Sequence, residues 1–160
     1  KLVFLLSMLI KSTVFLIWPE VFPKKEQLTL HRTQGETMHR MITAILPESY
    51  LRPHKNAHLS QIKTLSPLTG IAELITFSED GEVGRRFLLK RGMVVDVEPY
   101  SWHTIVARTP FAIFELKSHP LGYVKGKDKI YAPWAPEEGT KEADIYFENL
   151  RQKLGLSEAS

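Results

Sequence analysis

The central part of the chain, residues 38–116, constrains the fold most, because it is a run of short apolar segments separated by turn signals. Asp80-Gly81 lies between two of them, and Asp-Gly is a strong local signal for a tight hairpin. Short strands at this regular spacing predict an all-β sandwich or barrel. We expect about eight strands, at residues 38–46, 52–58, 62–68, 71–77, 83–89, 93–97, 102–107 and 111–116.

The two ends of the chain have a different character. Residues 1–18 are the most apolar stretch, and a role as a signal or membrane anchor stays open. Lys11 interrupts the run, however, and the uninterrupted pieces are short for a bilayer core of about 30 Å. We therefore expect residues 1–30 to form an apolar segment that packs on a barrel of residues 31–117, with residues 19–35 irregular.

Residues 118–160 are expected to belong to the same domain. The first half of this region is rich in glycine, proline and aromatic residues, and it predicts a packed surface loop up to residue 139. Thr140 is then placed to cap a C-terminal helix. An apolar stripe at helical spacing indicates the buried face of that helix, made by Ala143, Phe147, Leu150 and Leu154.

Composition narrows the classes of function. The chain of 160 residues contains no cysteine, which excludes disulfides and thiolate metal sites and fits a cytoplasmic location. Its net charge of +3 without a clustered basic stripe gives no support for nucleic-acid binding. The expected partner is a small molecule, membrane association is not expected, and a homodimer is a candidate assembly because barrels expose sheet faces.

Histidines supply the main candidate for chemistry. His54, Asn56 and His58 alternate along one predicted strand, so they would share a face, and His103 lies on a second predicted strand. Imidazoles that converge on one face suit a metal site or acid/base chemistry. The alternative is a polar barrel mouth in which the histidines satisfy one another and solvent. The remaining histidines, expected at the surface or in caps, are His31, His39 and His119.

Four local motifs carry a family resemblance. They are Arg52-Pro-His54, Trp102-His-Thr104, the segment of residues 38–44 and Ala132-Pro-Trp-Ala-Pro136. Over about residues 30–154 the chain resembles the cupin superfamily, and more narrowly the WbuC family of cupin-fold metalloproteins. This resemblance implies a jelly-roll barrel that contains a divalent transition metal, with a link to bacterial cell-surface polysaccharide biosynthesis.

The chain departs from the cupin metal pattern at two positions. His54 and His103 match the first and last ligands that the resemblance implies. Asn56 stands at the second histidine position, and Lys63 stands at the glutamate position. An ammonium beside a dication is repulsive. The metal ligands that we expect are His54, His58, His103 and Gln61. His58 would replace the second histidine of the cupin pattern, and Gln61 would replace its glutamate.

Two functional hypotheses remain open. The first is a metal-dependent protein with a pocket for a small polar ligand, sugar-like or anionic; no catalytic residue is assigned, although Glu73 and Glu115 are candidate bases. The second is a metal-free binding module with a degenerate cupin site. Positive charge near the pocket could come from Arg40, Arg52, Lys55 and Lys63; the alternative is that these residues form a solvated face. The ligand-binding residues that we expect are Arg52, Asn56, Lys63 and Trp102.

Overall fold

The computed structural model describes residues 25–119 and 128–156. The apolar run predicted at residues 1–18 lies outside the described residues. The described part forms ten strands and one helix: β1 (Lys25–Thr29), β2 (Met38–Ile45), β3 (His54–Asn56), β4 (Lys63–Thr69), β5 (Ile71–Phe77), β6 (Val83–Lys90), β7 (Val95–Val97), β8 (Trp102–Ala107), β9 (Phe111–Ser118), β10 (Lys129–Tyr131) and α1 (Lys141–Leu154).

The strands form two five-stranded antiparallel sheets. Sheet A has the order β1-β2-β9-β4-β7, and sheet B has the order β10-β3-β8-β5-β6. The chain changes sheet at almost every connection, as a jelly roll does. The predicted all-β fold with a C-terminal helix is therefore confirmed.

The inner faces of the two sheets enclose an apolar core. Side chains alternate along each strand, so every second residue points between the sheets. In sheet A, β2 and β9 pair with Ile45 opposite Phe111 and Thr43 opposite Ile113. Both sheets contribute buried apolar side chains to this core, including Ile45, Leu65, Leu74, Leu89, Ile105, Phe111 and Ile113.

A second apolar cluster lies between the outer face of sheet B and α1. The helix begins where the Thr140 side chain accepts a hydrogen bond from the Ala143 backbone, and it ends at Gly155 in the left-handed conformation. All four residues of the predicted stripe are buried, and they include Phe147, which belongs to the same buried cluster as Phe77 of β5. The helix prediction is confirmed.

Gly81 joins β5 to β6 in the predicted hairpin. It adopts φ +90°, and a Cβ at this position would lie 2.8 Å from the Trp134 ring. Both the backbone conformation and the close approach of Trp134 therefore favour glycine. Trp134 is half-buried, as a packed loop requires, whereas Tyr131 of the same predicted loop is exposed.

Three local predictions need correction. β1 lies inside the region that we expected to be irregular, and β10 lies inside the expected loop, because each strand pairs with a neighbour at a sheet edge. β3 ends at Asn56, two residues earlier than predicted. The pairing of β4 with β9 has a register shift between Pro67 and Thr69. Within the two described ranges, no helix combines the length and apolarity needed to cross a membrane.

Candidate functional site

A cavity of about 430 Å³ opens between the two sheets. It arises because the inward-facing residues of β2 and β9 change from apolar to polar along the strands. The two pairs that follow Ile45–Phe111 and Thr43–Ile113 are Met41–Glu115 and His39–Lys117. Side chains from sheet B complete the polar end, and among them are His54, His103 and, from the edge strand, Tyr131.

His54 and His103 lie directly opposite each other on β3 and β8, with ring centroids 4.5 Å apart. The Nδ1 of His54 donates to the Arg52 carbonyl at 3.1 Å, and that of His103 donates to the Ser101 carbonyl at 2.8 Å. A carbonyl can only accept, so each Nδ1 carries the proton and each Nε2 keeps a lone pair. Two proton acceptors therefore stand side by side in the cavity wall.

Both imidazoles are neutral at ordinary pH. Burial, reinforced by the charges of Lys129 and Lys63, holds the pKa of His54 well below its usual range. Burial and the charge of Lys63 do the same for the pKa of His103. The lone pairs are consequently available for hydrogen bonds over the whole physiological pH range.

Lys63 of β4 occupies the space in front of His103. Its Nζ lies 3.3 Å from His103 Nε2 and 3.7 Å from a carboxylate oxygen of Glu115, and the residue is only 4% exposed. Thr43 donates a hydrogen bond to Glu115 at 2.6 Å, which fixes that carboxylate. The ammonium is thus held between a neutral imidazole and an anchored carboxylate.

Lys117 of β9 is the register partner of Lys63 and is also 4% exposed. Its Nζ donates to Asp128 at 2.9 Å. Burial lowers the pKa of the Lys117 ammonium. Burial raises the pKa of Asp128, but the hydrogen bond and charge of Lys117 outweigh burial, so the net shift of the Asp128 pKa is downward. Each of the two buried lysines in this wall thus has a carboxylate neighbour, Glu115 for Lys63 and Asp128 for Lys117.

A second group of histidines also lines the cavity, and its burial contradicts our prediction of isolated surface residues. The rings of His31 and His39 are stacked at 4.0 Å, and those of His39 and His119 lie 4.4 Å apart. Burial, together with the charges of His39 and Lys117, lowers the pKa of His119 to about 4. Sequence reasoning missed this group because the long-range pairing of β2 with β9 brings the rings together.

The predicted metal ligands do not all converge. His58 follows the end of β3 and is exposed, so it does not share the inward face with His54. Gln61 is buried against the other histidine group, with its Nε2 3.3 Å from Nδ1 of His119. Among residues 25–119 and 128–156, no three His, Cys, Asp or Glu side chains are arranged to hold a metal ion.

The four predicted ligand-binding residues do not all line the cavity. Arg52 and Lys63 line the cavity. Trp102 does not, because it packs in the outer cluster under α1 and its Nε1 donates to Glu79 at 2.8 Å. Lys55 lies over the Trp102 ring at 4.1 Å, on the same outer face. Asn56 is fully buried and is not part of the cavity lining. Its amide nitrogen and oxygen have no hydrogen-bond partner within residues 25–119 and 128–156.

Two other charged residues lie away from the cavity. Arg40 is exposed and pairs with Glu36 at 3.5 Å. Glu73 is buried on the opposite side of sheet B, where Arg86 donates to it at 2.7 Å and Arg108 also contacts it. Of the two candidate bases, Glu115 alone is in the cavity wall.

The residues present do not fit a divalent metal. A metal bound to His103 would lie about 2.0–2.1 Å from Nε2. The Lys63 ammonium already approaches that atom at 3.3 Å and would repel the ion. The resemblance implied a set of metal ligands at this place, whereas the structure has two imidazoles and an ammonium there.

Comparisons with known proteins show which fold this architecture has. Residues 23–89 match a family model described as a domain of unknown function, DUF6016, and no curated protein matches the chain. An uncharacterised conserved protein with a double-stranded β-helix domain from Klebsiella pneumoniae subsp. pneumoniae MGH 78578 is similar over 75% of this chain and 94% of that one, with a TM-score of 0.53 and 15% identity. The chain has the cupin, or double-stranded β-helix, fold.

A second solved structure shows the same likeness of fold at low identity. An oxalate decarboxylase of Lactobacillus farciminis, solved as a formate complex, gives a TM-score of 0.51 and 16% identity over 71% of this chain. The cupin domain described above spans about a third of that enzyme, 32% of its length. At such identities the likeness establishes the fold alone, and the DUF6016 match gives the narrower WbuC resemblance no support.

Proposed function

We propose that this cupin binds a small organic anion in its barrel without a divalent metal, and that the Lys63 ammonium takes the place of the ion. The position of Lys63 Nζ, 3.3 Å from His103 Nε2 and 3.7 Å from Glu115, carries the proposal. A fixed ammonium supplies one positive charge and directed donors, which suits a carboxylate ligand.

The charges in the cavity wall support an anionic ligand. Glu115 and Asp128 face the ammonium groups of Lys63 and Lys117, and Glu138 accepts a hydrogen bond from the Arg52 backbone. His54 and His103 are neutral. Among the described lining residues, cations exceed carboxylates by one; the cations are Arg52, Lys63, Lys117 and Lys129.

The cavity volume and one hydrogen-bond acceptor further restrict the class of ligand that the cavity would bind. A volume of about 430 Å³ lies within the usual range for small-molecule sites. Among the residues that the structure describes, His54 Nε2 is buried and has no hydrogen-bond partner. An unpartnered acceptor in a polar wall favours a ligand that brings a hydroxyl donor. Hydroxy acids and sugar acids combine the two groups, and a sugar acid agrees with the polysaccharide link that the WbuC resemblance implies.

Calorimetry on metal-free protein tests the proposal. Chelator-treated protein should bind glucuronate, and it should bind neutral glucose at least tenfold more weakly. Lys63→Met should weaken glucuronate binding by about 10- to 100-fold, because a charge-assisted hydrogen bond contributes ~1.5–3 kcal/mol. Lys90→Met, at an exposed position on β6, is the matched control and should change nothing.

Two results would contradict the proposal. One is glucuronate binding that disappears after chelation and returns with added Zn²⁺, Mn²⁺ or Ni²⁺, as the metal-dependent alternative requires. The other is unchanged binding in the Lys63→Met variant, which would place the anion elsewhere.

A further inference from the structure

Two of the four cations that line the cavity are not part of the ion pairs in its wall. Lys63 and Lys117 each form an ion pair with a neighbouring carboxylate. Arg52 and Lys129 are partly buried and form no salt bridge within the part of the chain that the structure describes. The third carboxylate of the lining, Glu138, is exposed, so water weakens its attraction to these cations. Positive charge therefore remains at Arg52 and Lys129 after the ion pairs of the wall are formed.

The guanidinium of Arg52 is held in position beside β10. Its Nη2 donates to the Ala132 carbonyl at 3.2 Å, and its Cζ lies 5.3 Å from the centre of the Tyr131 ring. Glu138 accepts a hydrogen bond from the Arg52 backbone rather than from the guanidinium. The Nε of Arg52 is buried and has no hydrogen-bond partner among the described residues. A fixed guanidinium with a donor still to be satisfied suits a carboxylate, whose oxygens accept charge-assisted hydrogen bonds.

A row of three rings lies between Lys63 and the Arg52 guanidinium. The rings belong to adjacent strands of sheet B: His103 on β8 is opposite His54 on β3, which is opposite Tyr131 on β10. The ring centroids are 4.5 Å apart for the first pair and 6.1 Å apart for the second. Lys63 Nζ lies at the His103 end of the row, and the Arg52 guanidinium lies at the Tyr131 end. Because neighbouring strands are about 4.8 Å apart, the row spans on the order of 10 Å.

We propose that the cavity has a second anion subsite at the Arg52 guanidinium, and that its ligand is a hydroxylated dicarboxylate. One carboxylate binds Lys63 and the other binds Arg52, while Lys129 adds positive charge at the same edge of sheet B. This inference rests on the proposed function, because the first carboxylate is the anion that Lys63 binds there. It restricts the ligand from small organic anions in general to those with an acidic group at each end.

The row of rings suits a hydroxylated chain between the two acidic groups. His54 lies in the middle of the row, and its buried Nε2 has no hydrogen-bond partner within the described ranges. A chain that runs along the row brings a hydroxyl to this acceptor and a carboxylate to each cation. Charge-assisted hydrogen bonds of about 2.8 Å at each end cover part of the span, and a six-carbon chain covers the rest.

Gluconate and glucarate test the inference, because they share a hydroxylated six-carbon chain and differ only in the group at the last carbon. That group is a carboxylate in glucarate and a hydroxymethyl group in gluconate. In calorimetric titration of the chelator-treated full chain, glucarate should bind about tenfold more tightly than gluconate or better, since it makes a second charge-assisted hydrogen bond. Dissociation constants that agree within about twofold overturn the inference, because either end of a dicarboxylate can bind Lys63.

Substitution of Arg52 locates the second carboxylate. Arg52→Gln should weaken glucarate binding by about tenfold and change gluconate binding by less than about twofold, because gluconate needs only the Lys63 end of the row. Arg91→Gln removes the same charge at an exposed position and should change the binding of neither anion. Arg52→Lys keeps the charge without the planar fork, and it should weaken glucarate binding by about threefold or more.

Thermal unfolding identifies the variants that fold, and the lysine variant serves if the glutamine variant does not. Unchanged glucarate affinity in a folded Arg52 variant overturns the inference. Equal losses of affinity for the two anions also overturn it, because a single carboxylate would then contact both cations.

Gluconate binding distinguishes failure of this inference from failure of the proposed function. Gluconate has one carboxylate, so its affinity and the loss of that affinity in Lys63→Met report the first subsite alone. Equal binding of the two anions, lost for both in Lys63→Met, overturns the second subsite and leaves the proposed function standing. The absence of binding for both anions overturns the proposed function, and with it the inference that rests on it.

Discussion

Lys63→Glu should turn the cupin cavity into a metal site. The substitution removes an ammonium from the front of His103 Nε2 and introduces a carboxylate on the same inward-facing position of β4. The Nε2 lone pairs of His54 and His103 already face the cavity, and their Nδ1–H groups are held by backbone carbonyls. That arrangement is the one that metal-ligating histidines use. The variant would therefore present two imidazoles and a carboxylate.

The expected gain in affinity follows from the charges. An ammonium and a dication about 4 Å apart repel by ~8 kcal/mol at an effective dielectric near 20, twice the value for two unit charges. Lys63 relieves part of this repulsion by swinging its flexible stem away. If only a third of the repulsion remains in the unsubstituted protein, its removal is equivalent to about 100-fold in the dissociation constant.

Calorimetric titration with Zn²⁺, Mn²⁺ and Ni²⁺ measures this gain. Lys63→Glu should bind at least one ion about 100-fold more tightly than the unsubstituted protein does. Lys90→Glu makes the same change of charge at an exposed position and should not alter affinity. Without metal, the Lys63→Glu variant should melt at a lower temperature, because the new carboxylate faces Glu115. Tight metal binding by the unsubstituted protein, with no gain on substitution, would refute the reasoning.

Three further predictions concern stability. Glu73→Gln should lower the free energy of unfolding in urea by ~2–3 kcal/mol, because it weakens charge-assisted hydrogen bonds to a buried carboxylate. Gly81→Ala should lower the free energy of unfolding more than Gly92→Ala does, because both glycines have φ near +90° but, of the two, only Gly81 approaches Trp134. Equal losses of unfolding free energy would contradict this prediction. His119 has a folded pKa of about 4, below that of the unfolded chain, so the unfolded state binds the additional proton as the pH falls. Proton uptake at His119 in the unfolded state should reduce the free energy of unfolding by ~2 kcal/mol between pH 7 and pH 5. His119→Asn should remove that part of the pH dependence.

Much of the fold follows from local sequence patterns. β5 and β8 begin and end where their apolar alternation begins and ends, and Thr140 and the apolar stripe fix α1. β1 and β10 were missed because they are short edge strands of mixed composition, whose pairing partners lie outside any local window. β3 was predicted too long because alternation alone does not show where its neighbours stop pairing.

The candidate site was predictable only in part. The resemblance pointed to His54 and His103, and the strand register places them opposite each other. His58 is not part of the site, because β3 ends at Asn56 and His58 is exposed. The stacked rings of His31 and His39 depend on the loop between β1 and β2 as well as on long-range pairing, and periodicity contains no signal for such a contact.

The separation of apolar and polar pairs along β2 and β9 has a consequence for evolution. Ile45 and Phe111 lie in the closed apolar part of the barrel, whereas His39 and Lys117 lie at its open polar part. Because the apolar core lies in the layer of the first pair, substitutions at the second pair leave that core intact, and their cost is confined to polar contacts such as that of Lys117 with Asp128. The polar lining of the cavity can therefore change during evolution while the apolar core is retained.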